Sequence, residues 1–286
     1  TEQLKHQRRL QLLKQMSVKN DLNNIARDLN DKGIEHVVLK GTALNADGIY
    51  PSGIRFSRDI DLLVKLDQLG AAYDVLKAVG FRYINPKTQD STKYHFFGHH
   101  FPPMINENNT KVELHWRATT QIEFKKCPFT ENILSNRRIS NTSPHIFCPK
   151  IETTIAHLIH HAFTHHSMNL GPIFLFDLAT IFIFSGKKWL IDEDLHKELG
   201  IEKKLKLCSK IIEKAHHEIS FSSKSKLIID RIFRESQWLR LSGEARIFSS
   251  SIITTPIKVS DKQNVLLKLL SKVRSIRTFY QVSYYS

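Results

Sequence analysis

The chain has 286 residues, of which 41% are hydrophobic and 24% are charged, and its formal net charge is +14. This length and balance exclude a wholly disordered chain, and they allow either one large domain or two modest ones. The three cysteines are scattered without the paired spacing of a zinc site or a disulfide framework, which indicates a reducing compartment.

The apolar segments are too short for a membrane span. The longest apolar run, from Pro172 to Phe184, is interrupted by Asp177 and falls short of the ~20 residues that a bilayer requires. The N-terminal stretch TEQLKHQRRLQLLKQM is charged and heptad-like, which is not the pattern of a secretory leader. We therefore expect a cytoplasmic protein with no membrane span.

The first part of the chain alternates predicted helices and strands. Apolar residues recur at helical intervals over residues 3–31, and Gly33 follows as a stop. A short strand in EHVVLKG, a helix from Thr42 to Tyr50 and a strand in DIDLLVK come next. A helix over residues 67–79 leads to a third strand beginning in FRYIN. Two further strands, in KYHFFGHHFPPMIN and TKVELHWRA, are joined by the loop Glu107–Asn109.

The character of the sequence changes from about residue 120, and beyond Pro149 nearly every apolar spacing is helical. We therefore predict a mixed α/β domain over residues 1–120, which includes the N-terminal helix, and an all-helical, basic domain over residues 121–286. From Ile201 to the last residue there are 17 Lys and Arg against 7 Asp and Glu, a net charge of +10. A basic surface attracts phosphates of nucleic acid, nucleotides or lipid, and a Lys-rich solvated surface is the alternative interpretation.

Two aspartates stand two positions apart at the head of the predicted strand DIDLLVK. Side chains at i and i+2 of a strand point to the same face, so Asp59 and Asp61 project together. Two like charges this close repel each other unless a cation lies between them. A divalent metal is the usual cation, and Mg²⁺ prefers carboxylates together with substrate phosphates. Glu113, between Val112 and Leu114 in another predicted strand, is the candidate third carboxylate.

A strand that ends at a glycine and turns into a helix precedes these aspartates, in the stretch VVLKGTAL. The free backbone N–H groups at such a helix start, here at Gly41 and Thr42, suit a phosphate. Lys40, Arg55 and Arg58 add positive charge that can hold a triphosphate. We therefore expect the nucleotide phosphates to contact this segment. The alternative for the two aspartates alone is a solvated strand end.

These elements in this order resemble the uncharacterised nucleotidyltransferases of the polymerase-β superfamily, which are marked by an LKG…Y…R…DIDLLV…ELHW pattern. In this chain the pattern falls on Leu39-Lys40-Gly41, Tyr50, Arg55, Asp59 to Val64 and Glu113 to Trp116. The resemblance extends to the His-rich helix HLIHHAFTHH and the following FLFDLA, and it covers most of residues 34–185.

The resemblance implies an α+β fold with a polymerase-β-like mixed sheet and flanking helices, and the helical apolar spacing adds the all-helical C-terminal domain. The resemblance also implies transfer of a nucleoside monophosphate from an NTP to an acceptor hydroxyl, with release of pyrophosphate. Asp59 and Asp61 would hold two Mg²⁺ ions, and Glu113 would be the third ligand, placed to activate the attacking hydroxyl. Gly41 and Thr42 would replace the superfamily's Gly-Ser phosphate turn. Two departures are this Gly-Thr turn and the 18 positions from Gly41 to Asp59, a longer separation than usual.

The predicted helix HLIHHAFTHH places His157, His161 and His165 four residues apart on one face, and Asp177 follows on the next helix. This set is either a second metal site of the His-plus-carboxylate kind or a packing face on which Asp177 orients an imidazole. We expect the structural or acceptor-contacting role. His161 and Asp177 are the candidates for lining the active-site cleft, because both fall in the stretch that resembles the family.

No motif identifies the acceptor, which can be RNA or tRNA, a protein side chain or a small molecule. The positive charge favours a nucleic acid such as tRNA, as in toxin-like relatives of the superfamily. Two alternative functions stay open. One is a nucleic-acid-binding or assembly module that keeps the fold without catalysis, although three crowded carboxylates argue against it. The other is a metal-dependent hydrolase built on His157, His161 and Asp177.

Overall fold

The structure is a computed structural model that describes residues 2–50, 54–57, 59–85, 98–119, 128–166, 173–186 and 188–221. By its internal contacts the chain divides into Thr1–Gly243 and Glu244–Ser286, and all described residues belong to the first unit. Arg58 and most of the basic C-terminal region lie outside the described residues. The predicted boundary near residue 120 stays a prediction.

A long helix, α1, runs over Glu2–Asp31, as the spacing of its apolar residues predicts. Its buried stripe consists of Val18, Leu22, Ile25 and Leu29, which are three or four positions apart and therefore share one face. The helix ends before Gly33, whose φ of 67° is the left-handed conformation that closes many helices.

A five-stranded mixed sheet lies at the core of the described part of the chain, which confirms the predicted α+β fold. Its strands are β1 (His36–Val38), β2 (Asp59–Val64), β3 (Arg82–Tyr83), β4 (Met104–Ile105) and β5 (Lys111–His115). They lie in the order β1-β2-β5-β4-β3, with β2 and β5 parallel and all other neighbours antiparallel. The short helix α2 (Lys40–Ala46) joins β1 to the segment before β2, and α3 (Leu69–Ala78) joins β2 to β3.

The two faces of the sheet meet different hydrophobic clusters. Ile60, Leu62 and Val64 of β2 pack with α1 and α3, whereas Leu63 packs on the opposite side with the later helices. Because side chains alternate along a strand, Asp59 and Asp61 point to the same side as Leu63. The carboxylates therefore face the helical half of the described structure.

The helical half follows the sheet along the chain. Its helices are α4 (Pro128–Ser135), α5 (Ile151–His160), α6 (Ile173–Phe184), α7 (Glu193–Glu198) and α8 (Glu202–Phe221). A π-helical turn, His161–His165, extends α5. Among the described helices, none is long and apolar enough to cross a membrane.

A β-hairpin interrupts the region that the sequence analysis predicted to be entirely helical. It consists of β6 (Arg138–Ser140) and β7 (Ser143–Cys148) and packs against α1 and β1. Its turn is held to the end of α2, where the Arg138 guanidinium pairs with the Asp47 carboxylate and the Thr142 hydroxyl donates to the Ala46 carbonyl at 2.7 Å. An isolated two-stranded hairpin is marginally stable and depends on such tertiary contacts, and its local pattern was too weak to predict.

Candidate active site

The parallel pairing of β2 and β5 brings acidic side chains from two strands together. In this register Asp61 lies beside Glu113, and Leu63 lies beside His115. Neighbouring strands are about 4.8 Å apart, so partners on the same face are within reach of a shared ligand. Asp61 is buried, and Glu113 is partly exposed.

Ligand atoms of Asp61, Glu113 and His115 all lie within 4.8 Å of one another. Within the described residues this is the one such group of three or more metal-ligating side chains. His115 was not among the predicted site residues. It stands two positions after Glu113, so the alternation argument that paired Asp59 with Asp61 also places His115 on the site face.

Two nitrogen donors, from Lys40 and His115, hold the Asp61 carboxylate. Lys40 Nζ donates to Asp61 Oδ1 at 2.7 Å, and His115 Nε2 lies 3.0 Å from the same oxygen. Burial would raise the pKa of Asp61, but Lys40 and His115 outweigh it and hold that pKa far below its usual range. Burial also opposes the charged forms of Lys40 and His115, yet the carboxylates raise the pKa of both. The Asp61 carboxylate is therefore ionised and held in place.

Asp59 lies on the same face of β2, but its carboxylate is not part of the 4.8 Å group found among the described residues. Burial, together with the negative charges of Asp61 and Glu113, raises the pKa of Asp59 to about 6. In contrast, His115 lowers the pKa of Glu113 despite the opposing effect of burial. The three predicted carboxylates are thus electrostatically coupled but differ in their surroundings.

The turn from β1 into α2 is fixed against β2. The backbone N–H of Leu39 donates to the Asp61 carbonyl at 2.9 Å, and the Thr42 hydroxyl donates to the Asp59 carbonyl at 2.9 Å. Between them, Lys40 has a φ of 53°, a left-handed conformation that is uncommon for a residue with a Cβ. The predicted phosphate residues Lys40, Gly41 and Thr42 therefore lie against the start of β2, where Lys40 contacts the Asp61 carboxylate.

Arg55 and Asp177 form a buried ion pair across 122 positions of the chain. Arg55 Nε lies 2.8 Å from Asp177 Oδ1, and Nη2 lies 3.1 Å from Oδ2. The Tyr50 hydroxyl also donates to Asp177 Oδ1 at 2.8 Å, and burial followed by the charge of Asp177 raises the pKa of Tyr50. The predicted phosphate ligand Arg55 and the predicted cleft residue Asp177 are thus joined to each other.

The histidines of α5 and of the π-helical turn have separate partners. His157 Nε2 lies 3.1 Å from the Ala118 carbonyl, and burial lowers the pKa of His157 to about 3, so this imidazole donates to the carbonyl in its neutral form. His161 Nε2 lies 3.3 Å from His166 Nε2. Burial, and then the positive charge of Lys40, lowers the pKa of His161, so this imidazole is neutral at neutral pH. Among the side chains described, which exclude that of His165, no metal-ligating group joins His157, His161 and Asp177.

Comparisons with known proteins add a family. The family model described as uncharacterised nucleotidyltransferase matches residues 1–214. No match was found among curated proteins.

Two solved structures are similar to the chain. One is titled "Solution Structure of Antibiotic-Resistance Factor ANT(2'')-Ia Reveals Substrate-Regulated Conformation Dynamics"; it is 13% identical, with 71% of this chain and 98% of that chain covered and a TM-score of 0.42. The other is a crystal structure of ANT(2")-Ia in complex with adenylyl-2"-tobramycin. It is 12% identical, the match covers 81% of this chain and 99% of that chain, and the TM-score is 0.38.

Proposed function

The chain belongs to the uncharacterised nucleotidyltransferase family, and from this membership we propose that it transfers an NMP from an NTP to an acceptor hydroxyl with Mg²⁺. The observation that carries the proposal is the convergence of Asp61, Glu113 and His115 within 4.8 Å on two adjacent strands. Asp59 adds a third carboxylate on the same face.

The donor set fits a divalent cation. Two carboxylates within reach of each other are ligands that Mg²⁺ prefers, and Mn²⁺ accepts the same oxygen ligands. We assign Asp61 and Glu113 as ligands, with Asp59 completing a site for two ions. A cation held there would neutralise charge that develops on the phosphates during the transfer.

Glu113 is the proposed general base. Its carboxylate is partly exposed and keeps a low pKa through His115, so it is ionised at neutral pH and accessible to an acceptor. Glu113 would accept the proton of the acceptor hydroxyl as the new bond forms between the acceptor oxygen and the α-phosphorus. The bond from that phosphorus to the pyrophosphate oxygen breaks in the same displacement.

Lys40, Gly41, Thr42, Arg55 and Arg58 are the proposed phosphate-binding residues. Lys40 has the strongest support, because its ammonium already lies against Asp61. Arg55 supports this segment indirectly, since its guanidinium fills the space that a side chain at Gly41 would take and is oriented by Asp177. The proposed role of Arg58 rests only on its position next to Asp59 in the sequence.

His161 and Asp177 are the proposed residues of the acceptor side. A neutral His161 can accept or donate a hydrogen bond to a hydroxyl or a base without opposing the charge of the site. The net charge of +14 favours RNA, including tRNA, over a protein or a small-molecule acceptor. The location proposed for this reaction is the cytoplasm.

The test is transfer of label from each α-labelled NTP in turn, with Mg²⁺ and either total RNA, a protein mixture or small hydroxyl compounds as acceptors. We expect label on one acceptor class. The variants Asp61→Asn and Glu113→Gln should each lower the rate by about 100-fold or more, since each removes a ligand or the base. Asp67→Asn, an exposed aspartate just after β2, is the matched control and should keep the rate.

Other outcomes point to the alternative functions. Binding of RNA by the native protein and by Asp61→Asn alike, without any transfer, would support the binding module. Hydrolysis that needs a transition metal and survives Asp61→Asn would support the histidine-based hydrolase.

A further inference from the structure

The ion pair between Lys40 and Asp61 lies at the centre of the carboxylate cluster. The two side chains are 18% and 5% exposed, and the Nζ–Oδ1 distance is 2.7 Å. His115 Nε2 contacts the same Oδ1 at 3.0 Å. That oxygen therefore already interacts with two N–H donors, which matches its two lone pairs.

The backbone directs Lys40 to this position. Its left-handed φ of 53° is held between two contacts to β2, one from Leu39 to Asp61 and one from Thr42 to Asp59. A non-glycine residue keeps this conformation only where its surroundings over-determine it, and such residues cluster at functional sites. The Lys40 ammonium is thus aimed at the residue proposed as a metal ligand.

We propose that Lys40 is a positioning residue that competes with the divalent cation for Asp61 and moves to the triphosphate when nucleotide and cation bind together. This inference rests on the proposed function. An ammonium and a dication on one carboxylate lie only a few ångströms apart and repel each other strongly in a buried site. The Lys40 ammonium must therefore leave Asp61 as the cation arrives, and the entering phosphates provide its new partner.

The proposal requires opposite effects of one substitution on two affinities. Without Lys40, a cation alone should bind more tightly, because its competitor is gone. The complex of cation and nucleotide should bind more weakly, because the phosphates lose their ammonium. A purely structural lysine would change both affinities in the same direction or neither.

The experiment measures Mn²⁺ binding to the full chain by the electron paramagnetic resonance signal of the free ion. In the absence of nucleotide, Lys40→Met should bind Mn²⁺ about tenfold more tightly than the native protein. The matched control is Lys111→Met, because Lys111 pairs with Asp59 in the β2–β5 register but is exposed. It should change the affinity by less than about twofold. Equal or weaker Mn²⁺ binding by Lys40→Met, or the same gain in Lys111→Met, would overturn the proposal.

A second measurement uses the native protein and therefore does not depend on the folding of a variant. Acetylation of individual lysines is followed by mass spectrometry with and without Mn²⁺. Lys40 should be acetylated faster when Mn²⁺ alone is added, whereas Lys111 should not. An unchanged acetylation of Lys40 would contradict its competition with the cation for Asp61.

The two proposals fail in distinguishable ways. If Asp61→Asn binds Mn²⁺ as the native protein does, the metal site itself is wrong. If the native protein transfers label but Lys40→Met shows no gain in Mn²⁺ affinity, the function stands and the role of Lys40 does not.

Discussion

At Gly41, a side chain would collide with the guanidinium of Arg55. A Cβ placed there would lie 2.6 Å from Arg55 Nη2 and 3.0 Å from Ser57 Oγ. The far end of an arginine usually moves aside at little cost, but here Asp177 holds it with two hydrogen bonds. The glycine of the LKG pattern is therefore required by the packing of Arg55, whatever it contributes to phosphate binding.

The variant Gly41→Ala should lower the free energy of unfolding by about 1–3 kcal/mol, because the added methyl overpacks this contact. Gly70→Ala is the matched control, since Gly70 lies in α3 with no atom within 4 Å of the added Cβ. It should be neutral or slightly stabilising. Urea unfolding of both variants measures the difference. Equal free energies of unfolding for the two variants would show that the Arg55 guanidinium moves aside without cost.

Helix α6 is anchored to the segment between α2 and β2 by the Arg55–Asp177 pair. The Asp177 side chain is 2% exposed and that of Arg55 is 14% exposed. Breaking one half of such a pair leaves a poorly solvated charge, whereas replacing both halves by apolar groups is often nearly neutral. The two substitutions are therefore expected to be strongly non-additive.

We expect Asp177→Leu and Arg55→Met each to cost about 3 kcal/mol of unfolding free energy. The double variant should lie within about 1–2 kcal/mol of the native protein. Chemical unfolding of the four proteins gives the coupling energy. If the double variant loses the sum of the two single effects, the pair does not act as one unit.

For the molecule as a whole, the buried histidines of α5 make the free energy of unfolding depend on pH. His160 is 1% exposed, and burial, with a smaller effect of Lys204, lowers its pKa to about 4. The unfolded chain has an ordinary histidine pKa of about 6.5, so it binds the proton more readily than the folded chain. The contribution of neutral His160 is complete above pH 6.5 and is lost as the pH falls towards 4.

We expect the unfolding free energy to fall between pH 6.5 and 4, with up to about 3 kcal/mol of the loss due to His160. His160→Leu should flatten this part of the profile, and His145→Leu, at an exposed position of β7, should not. Urea unfolding across this pH range measures the slopes. An unchanged slope in His160→Leu would assign the acid sensitivity to other groups.

The local periodicity of the sequence was sufficient to predict several elements of this molecule. Helical spacing predicted α1, and alternation predicted that Asp59 and Asp61 share a face of β2. The order of the LKG, DIDLLV and ELHW elements indicated the family that the match over residues 1–214 confirms. These features depend on residues close together in the chain, or on motif order, and both can be read along a sequence.

Contacts between distant residues needed the tertiary structure. His115 and Lys40 reach Asp61 because the parallel register of β2 and β5 and the left-handed turn at Lys40 bring them there. Asp177 meets Arg55 because α6 packs beside the segment before β2. Strand register and helix packing are decided by the burial of whole faces, which leaves no local pattern at these residues. The sequence alone therefore predicted which carboxylates form the candidate site, and the tertiary structure decided which side chains hold Asp61.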